Sequence, residues 1–277
     1  MTVREAIGIG SDIIAERWKE TPRLDASVIL ASVLGTTRDR LLSGLSDPLN
    51  QADYDTFISG VMERASGSPV AYITHHQEFY ALDFYVDNRV LVPRADTEIL
   101  VEKALEYIKP KNRVLDLCTG SGCIAIAIKH NVPDADVSAS DISDGALEVF
   151  RKNCSAILDK EILTYKSDLL NSINEKFDII ISNPPYLTNA ETSRMKSDRW
   201  PEPELALDGG EDGLDFIRKI IQTAPKNLTK RAHLLFEADP EQMNSIKSEF
   251  EKYKYNDIVI TKDLAGRDRV ISGCFNG

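Results

Sequence analysis

The segment Phe177-Asp178-Ile179-Ile180-Ile181-Ser182-Asn183-Pro184-Pro185-Tyr186 concentrates residue types with an unusual chemical bias. The apolar run around a single acid reads as a buried strand. Pro184 and Pro185 end it, since neither donates to a sheet ladder and each steers the preceding residue away from helix. The loop that follows offers carbonyls without matching N–H groups, and Asn183 adds a side-chain oxygen. Such a cluster of acceptors suits an NH2 group on a planar amide or an amino-substituted ring. Tyr186 could pack its aromatic face against the same plane. A strand followed by an ordinary proline turn would also produce these residues. The reading therefore depends on what else the chain carries.

A second group of residues lies upstream. Val114-Leu115-Asp116-Leu117 reads as a buried strand, Cys118-Thr119-Gly120-Ser121-Gly122 as a glycine loop, and Cys123 to Ile128 as the opening of a helix. Glycines let backbone approach a ligand closely, and a helix start offers N–H groups and a positive dipole end to a phosphate or carboxylate. The loop has neither the G-x-G-x-x-G spacing of dinucleotide folds nor the G-K-[ST] of phosphate loops. Its form is Asp-x-x-Thr-Gly-Ser-Gly, starting at Asp116. Asp141, followed by Ile142, closes the next strand and is placed to accept both hydroxyls of a ribose. Asp168 and Leu169 end the third strand, where an adenine would lie. Asp168 could accept from its amino group and Leu169 could pack on its face. Acids at strand ends often only cap or face solvent. Together with Asn183, however, these residues describe a site for a nucleoside with a small amino-acid end, namely S-adenosyl-L-methionine, which leaves as S-adenosyl-L-homocysteine.

The elements that must position these groups follow from the pattern. From Arg113 onward strands and helices alternate, which predicts an α/β fold with a doubly wound, Rossmann-like sheet. Short strands are expected near Val137–Ser140 and Leu163–Tyr165, then Phe177–Ser182 and His233–Glu237. Strands Asp257–Thr261 and Arg269–Ser272 are close enough to close the sheet as an antiparallel hairpin. Residues 1–66 read as a small helical domain. There Thr21-Pro22 supplies an N-cap and first-turn proline, with Leu24, Val28, Ile29 and Leu34 as one apolar side and Tyr54, Phe57, Ile58, Val61 and Met62 as another. Residues 67–92 read as a linker whose arms, Phe79–Val86 and Val90–Val92, form a β-hairpin, and 93–277 as the catalytic domain. Asp96, Thr97 and Glu98 fall at a helix start and suit capping. Arg94 beside two acids could instead pin a loop over the active site.

Composition narrows the function. The chain has 277 residues, 42% of them apolar, and a net charge of −11. That balance disfavours direct nucleic-acid binding, which needs clustered Lys and Arg. Cys118, Cys123, Cys154 and Cys274 form no C-x-x-C pair and have no matching histidines, so no metal site and no disulfide framework is expected. A reducing, cytoplasmic compartment follows. No run is long enough to span a bilayer, and the start carries no signal or transit pattern.

At this level the sequence resembles the peptide-chain release-factor glutamine methyltransferases, class I enzymes that use S-adenosylmethionine. The resemblance covers nearly the whole chain. It runs through Thr21–Asp25, Gly67–Ile73, Val92–Glu98, Asp116–Gly122, Asp141, Asn153 and Asn183–Tyr186. It continues through Pro203–Gly210 with Asp212–Leu214, and Asp263–Arg269. The Asn-Pro-Pro-Tyr tetrapeptide is shared with several amino-methylating families, whereas the N-terminal and Asp-Gly-Gly segments are more specific. The resemblance implies a seven-stranded methyltransferase sheet behind a helical substrate-recognition domain. It implies that the substrate is the glutamine of the Gly-Gly-Gln loop in release factors. Asn183, Pro184, Pro185 and Tyr186 would then be catalytic and, with Arg94, would hold substrate. Two residues depart from the pattern: Cys118 where the family usually has glycine, and Leu169 where it often has an aromatic. The alternative from the residues alone is an N(6)-adenine or N(2)-guanine methyltransferase acting on an extruded base of DNA or rRNA.

Overall fold

The computed structural model describes residues 1–158, 160–198 and 200–277. It divides into two compact units. One comprises Met1–His76 with residues 200–201, and the other Gln77–Asp198 with Glu202–Gly277.

The first unit is helical: α1 (Val3–Ala15), α2 (Pro22–Val33), α3 (Arg38–Ser43), α4 (Gln51–Ser66) and α5 (Val70–Thr74). Helix α1 starts on a capping box, in which Thr2 accepts from the Glu5 N–H and Glu5 accepts from that of Thr2. Ile7, Ile14, Ala26, Ile29, Leu30, Phe57 and Val61 form its core. The expected apolar sides need correction at two positions, because Leu24 and Met62 are exposed. The buried stripe of α2 runs instead through Ala26, Ile29 and Leu30. Nor does Thr21 cap α2. Its hydroxyl donates to Asp25, which also receives Arg64 Nε at 2.7 Å.

The second unit is a seven-stranded sheet flanked by helices. Its strands are β3 (Arg113–Leu117), β4 (Asp136–Asp141), β5 (Leu163–Lys166), β6 (Phe177–Ser182), β7 (Leu228–Glu237), β8 (Tyr255–Lys262) and β9 (Asp268–Phe275). Their order is β5-β4-β3-β6-β7-β9-β8. The first five run parallel, while β9 pairs antiparallel with both β7 and β8. Successive side chains on a strand face opposite sides, and a central parallel sheet must bury both. Accordingly Val114, Ile179, Ile181, Leu235 and Val270 enter the core under α6 (Glu98–Tyr107) and α7 (Cys123–Asn131). After α8 (Asp144–Ile157) and α9 (Asn189–Ser197), Leu115, Leu117, Ile180, Leu234, Phe236 and Ile271 enter the one under α10 (Asp215–Thr223) and α11 (Met243–Lys252). Asp178, the acid in the apolar β6 run, accepts from the Arg113 N–H and the Thr229 hydroxyl, so no bare charge enters the core.

The chain winds outward from β3 through β4 to β5, then returns to lay β6 on the other side of β3. This reversal leaves a crevice beyond the carboxyl ends of β3 and β6, the place where open α/β sheets bind ligands.

The hairpin before the sheet differs from expectation. It is short, with β1 (Gln77–Phe79) paired to β2 (Leu82–Phe84), and Val90–Val92 is not a strand. Its two-residue turn is Tyr80-Ala81, at φ +52° and +58°. Such a turn ordinarily takes Asn or Gly, so the sequence carried no turn signal there.

Helix α1 crosses α4 closely enough that a Cβ on Gly10 would lie 2.5 Å from the Phe57 ring. Overpacking of this kind costs about 1–3 kcal/mol. Gly10→Ala should therefore lower stability despite alanine's better helix propensity, and adding Phe57→Leu should restore part of the loss. Urea unfolding of the two single variants and the double variant checks this. Additive effects would show that the close contact does not govern the site.

Candidate active site

A cavity of about 220 Å³ opens at the crevice. Of the residues singled out in the sequence, Arg94, Cys118, Thr119, Gly120, Ser121, Asp141, Ile142, Asp168, Leu169, Asn183 and Pro185 line it. Asp116, Gly122, Pro184 and Tyr186 are not among its lining residues, although Pro184 and Tyr186 flank Pro185, which is.

The glycine loop is fixed from beneath. Asp116 is fully buried, and its Oδ2 accepts from the Thr119 hydroxyl at 2.5 Å and the Ala125 N–H at 3.1 Å. One carboxylate thus joins the end of β3 to the loop and to the first turn of α7. Gly122 sits at φ +85°, and a Cβ there would meet the Phe150 ring at 2.4 Å. Gly120, at φ +54°, has open space where its Cβ would be, so bare backbone faces the cavity. Several loop donors are already engaged. Thr119 N donates to Ser140 O, Gly120 N to Asp141 Oδ2, and Gly122 N to Thr119 O. The departure Cys118 occupies φ +63°, where glycine would be unstrained. Burial pushes its thiol up to about 12, and that of Cys123 likewise, so both stay protonated.

Asp141 accepts one backbone N–H on each oxygen, from Gly120 and from Ser143, which leaves further lone pairs on both. Desolvation raises its pKa. Asp168 is more exposed, and its Oδ2 accepts from Asn171 and from Lys219 Nζ at 3.1 Å. Ile142, Leu169 and Phe216 give the cavity an apolar wall. Phe216 was not singled out in the sequence. It is an aromatic lining the same cavity as the aliphatic Leu169, which itself sits at φ +49°.

The loop after β6 is held on three sides. Ser182 Oγ donates to Leu117 O at 2.6 Å, tying the ends of β6 and β3 together. Asn183 Nδ2 donates to Thr97 Oγ1 at 3.2 Å. The Tyr186 hydroxyl donates to Glu237 Oε1 at 3.3 Å, and Gln242 Nε2 donates to Tyr186 O at 2.9 Å. The Asp-Gly-Gly segment explains its composition here. Gly209 N donates to Leu187 O, and a Cβ on Gly213 would fall 2.1 Å from Tyr186 O.

The expected capping by Asp96, Thr97 and Glu98 does not occur. No side chain caps this helix start, because each acid has another partner. Asp96 pairs with Arg269 at 2.9 Å and Arg267 at 3.3 Å, and Glu98 accepts from the Tyr80 N–H. Arg94 does pin a loop, but through an acid far along the chain. It pairs with Glu202, whose buried carboxylate also accepts from the Val92 N–H. Thr97, Glu202 and Glu237 were thus not assigned these roles from sequence. Glu237 did carry a signal, as an acid ending the apolar strand His233–Phe236 at the same sheet edge as Asp116 and Asp141.

The residues present fit S-adenosylmethionine. Bare backbone at Gly120, an acid with spare lone pairs at Asp141, and an apolar wall at Ile142, Leu169 and Phe216 suit its amino-acid, ribose and adenine parts, respectively.

Desolvation raises the Asp116 pKa to about 7. An unfolded aspartate releases its proton near about 4. Between those values the folded state binds the extra proton, so this group's contribution to stability falls as pH rises. Unfolding free energies of wild type and Asp116→Asn, compared from about pH 4.5 to 7.5, should show the wild type losing ground to the variant. A difference independent of pH would contradict burial as the controlling effect.

A "PrmC N-terminal domain" family model matches residues 5–74, and a "Methyltransferase small domain" model matches residues 95–199. The release factor glutamine methyltransferase of Moorella thermoacetica is 38% identical over 274 residues, 97% of each chain. That of Leptospira interrogans is 38% identical over 263 residues, 91% of this chain and 92% of the relative. In fold, a methyltransferase from Pyrococcus furiosus matches with a TM-score of 0.56 at 17% identity, covering 79% of this chain and 98% of that one. With full-length identity at this level and both domain models in place, the chain belongs to the release factor glutamine methyltransferase family.

Proposed function

We propose that the chain transfers a methyl group from S-adenosyl-L-methionine to the side-chain amide nitrogen of the glutamine in the Gly-Gly-Gln loop of peptide-chain release factors. One observation carries this reading: the loop after β6 and the glycine loop after β3 line the same cavity, with Asn183 and Pro185 on one wall and Cys118 to Ser121 on another.

The bound cofactor supplies a methyl group on a positively charged sulfur, a strong electrophile. Thr119, Gly120, Ser121, Asp141, Ile142, Asp168 and Leu169 would hold it, with Phe216 completing the wall. A carboxamide nitrogen is a poor nucleophile, because its lone pair is delocalised into the carbonyl. The protein must therefore work by alignment. Holding reactants in attack geometry supplies up to roughly 7–11 kcal/mol. Asn183 Oδ1 and the Pro184 carbonyl accept the two amide hydrogens, which fixes the nitrogen and favours the positive charge growing on it. With Nδ2 engaged by Thr97, Asn183 has its oxygen left for this task. Tyr186 packs beside the amide plane while its hydroxyl is anchored on Glu237. Arg94 bonds Glu202 and so holds the segment leading into Leu205, which lines the cavity. The proton leaves after transfer, when the methylated nitrogen is strongly acidic.

Release factors from cells lacking this protein, analysed by mass spectrometry, should carry an unmodified glutamine in that loop. The purified enzyme with S-adenosylmethionine should restore one methyl group there. Methyl incorporation into DNA or rRNA and not into release factor would overturn the reading. In single-turnover assays with saturating cofactor, Asn183→Ala should slow transfer by about a hundred- to a thousandfold, the range for losing one aligned polar group. Cofactor affinity by calorimetry should change by less than about threefold, since the other contacts remain. Transfer at the wild-type rate would remove the role given to Asn183.

A further inference from the structure

Asn153 has no part in the site described so far. It sits on α8, 1% exposed, and does not line the cavity. A buried carboxamide needs partners for two N–H donors and an oxygen. Asn153 finds them on two other segments. Its Oδ1 accepts from the Tyr85 N–H at 2.7 Å, and its Nδ2 donates to Tyr85 O at 2.9 Å. Nδ2 also donates to Ser121 O at 2.9 Å.

Both contacts lead to the cavity. Ser121 lines it as part of the glycine loop. Phe150, also on α8, packs where a Cβ on Gly122 would fall, so the loop is seated on this helix at two points. Tyr85 follows β2 directly, and the carboxamide meets its N–H and O with the two-point pairing of a neighbouring strand. Asp87 then fixes the turn beyond it. Its carboxylate accepts from the Tyr85 hydroxyl at 3.0 Å, the Arg89 N–H at 3.0 Å and the Arg89 guanidinium at 2.6 Å. Arg89 also pairs with Glu148 of α8 at 2.8 Å. Arg89, Val90 and Leu91 line the cavity.

On the reading that this cavity takes S-adenosylmethionine, we propose that Asn153 is a positioning residue for the cofactor. It holds one carbonyl of the glycine loop and both backbone groups at the root of the 89–91 segment, and so sets the spacing of two cavity walls. Fixing Ser121 O also fixes the plane of the peptide that leads into α7. Asparagine suits the task because it carries an acceptor and two donors on one planar group. Aspartate would keep the acceptor for Tyr85 but lose the donors to two carbonyls, and alanine would leave three buried backbone groups short of a partner. Asn153 lies outside the cavity lining, so its effect falls on cofactor binding and not on the methyl-transfer step.

The test uses full-length Asn153→Ala and Asn153→Ser, with Val149→Ala as the control. Val149 is buried one turn earlier on α8, and its side chain makes no hydrogen bond. Calorimetric titration with S-adenosyl-L-homocysteine should give a Kd raised about ten- to a hundredfold in the Asn153 variants and less than about threefold in Val149→Ala. At saturating cofactor, kcat and the KM for release factor should each change by less than about threefold. Hydrogen exchange of the unloaded protein, read by mass spectrometry, should quicken in residues 85–91 and 118–124 of the Asn153 variants and stay at the wild-type rate in β6. If Asn153→Ala does not fold, Asn153→Ser, which keeps a hydroxyl at the site, decides. Wild-type affinity in a folded Asn153 variant would overturn the proposal, as would an equal loss of affinity in Val149→Ala. Wild-type protein that does not bind S-adenosyl-L-homocysteine, with exchange still quickened in both segments of the Asn153 variants, would reject the cofactor reading and leave the clamp on the two walls standing.

Discussion

A planar NH2 group is held for attack only where acceptors face it and donors do not. On the proposed methyl transfer, this constraint organises the second unit. Two consecutive prolines remove N–H groups from the loop after β6, and Thr97 accepts from the side-chain NH2 of Asn183. The loop is then kept from relaxing. Ser182 ties it to β3, Glu237 and Gln242 hold Tyr186, and the glycines of the Asp-Gly-Gly segment let that backbone pass against it without a Cβ. Each contact comes from a different element, so the geometry is a property of the sheet edge as a whole and not of the tetrapeptide.

The topology explains why the glycine loop and the loop after β6 line one cavity. Chain reversal between β3 and β6 opens the crevice, and the loops leaving those two strands diverge around it. Asp116 serves this arrangement from below. It sits beneath the wall, joining strand, loop and helix through one oxygen, and its burial shows in a carboxyl pKa raised to about 7. Asp141, one strand away, has lone pairs to spare and lines the cavity itself. Two acids in one motif region thus have different tasks, set by burial.

Much of this was legible in the sequence, because the signals are local. Alternating strands and helices after Arg113 give the sheet, and strand-end acids and glycines give much of the cavity lining. What escaped was nonlocal or chemically silent. The Arg94–Glu202 pair joins residues far apart in the chain, whereas the acids beside Arg94 in sequence, Asp96 and Glu98, both turn elsewhere. Thr97 suggests capping because its side-chain partner, Asn183, lies far along the chain, after β6. The Tyr80-Ala81 turn adopts positive φ without the residues that usually announce it. Leu24 and Met62 fit the helical period but fall at its exposed edge, a distinction only packing makes. The departures Cys118 and Leu169 both occupy positive φ, so there the chain accepts backbone strain beside the cavity.

The most direct measurement is a crystal structure of the enzyme with S-adenosyl-L-homocysteine and a peptide carrying the Gly-Gly-Gln loop. The glutamine nitrogen should lie within hydrogen-bonding distance of both Asn183 Oδ1 and the Pro184 carbonyl, facing the sulfur. A glutamine bound with its NH2 away from these two acceptors, or an Asn183 that turns Nδ2 toward it, would contradict the account.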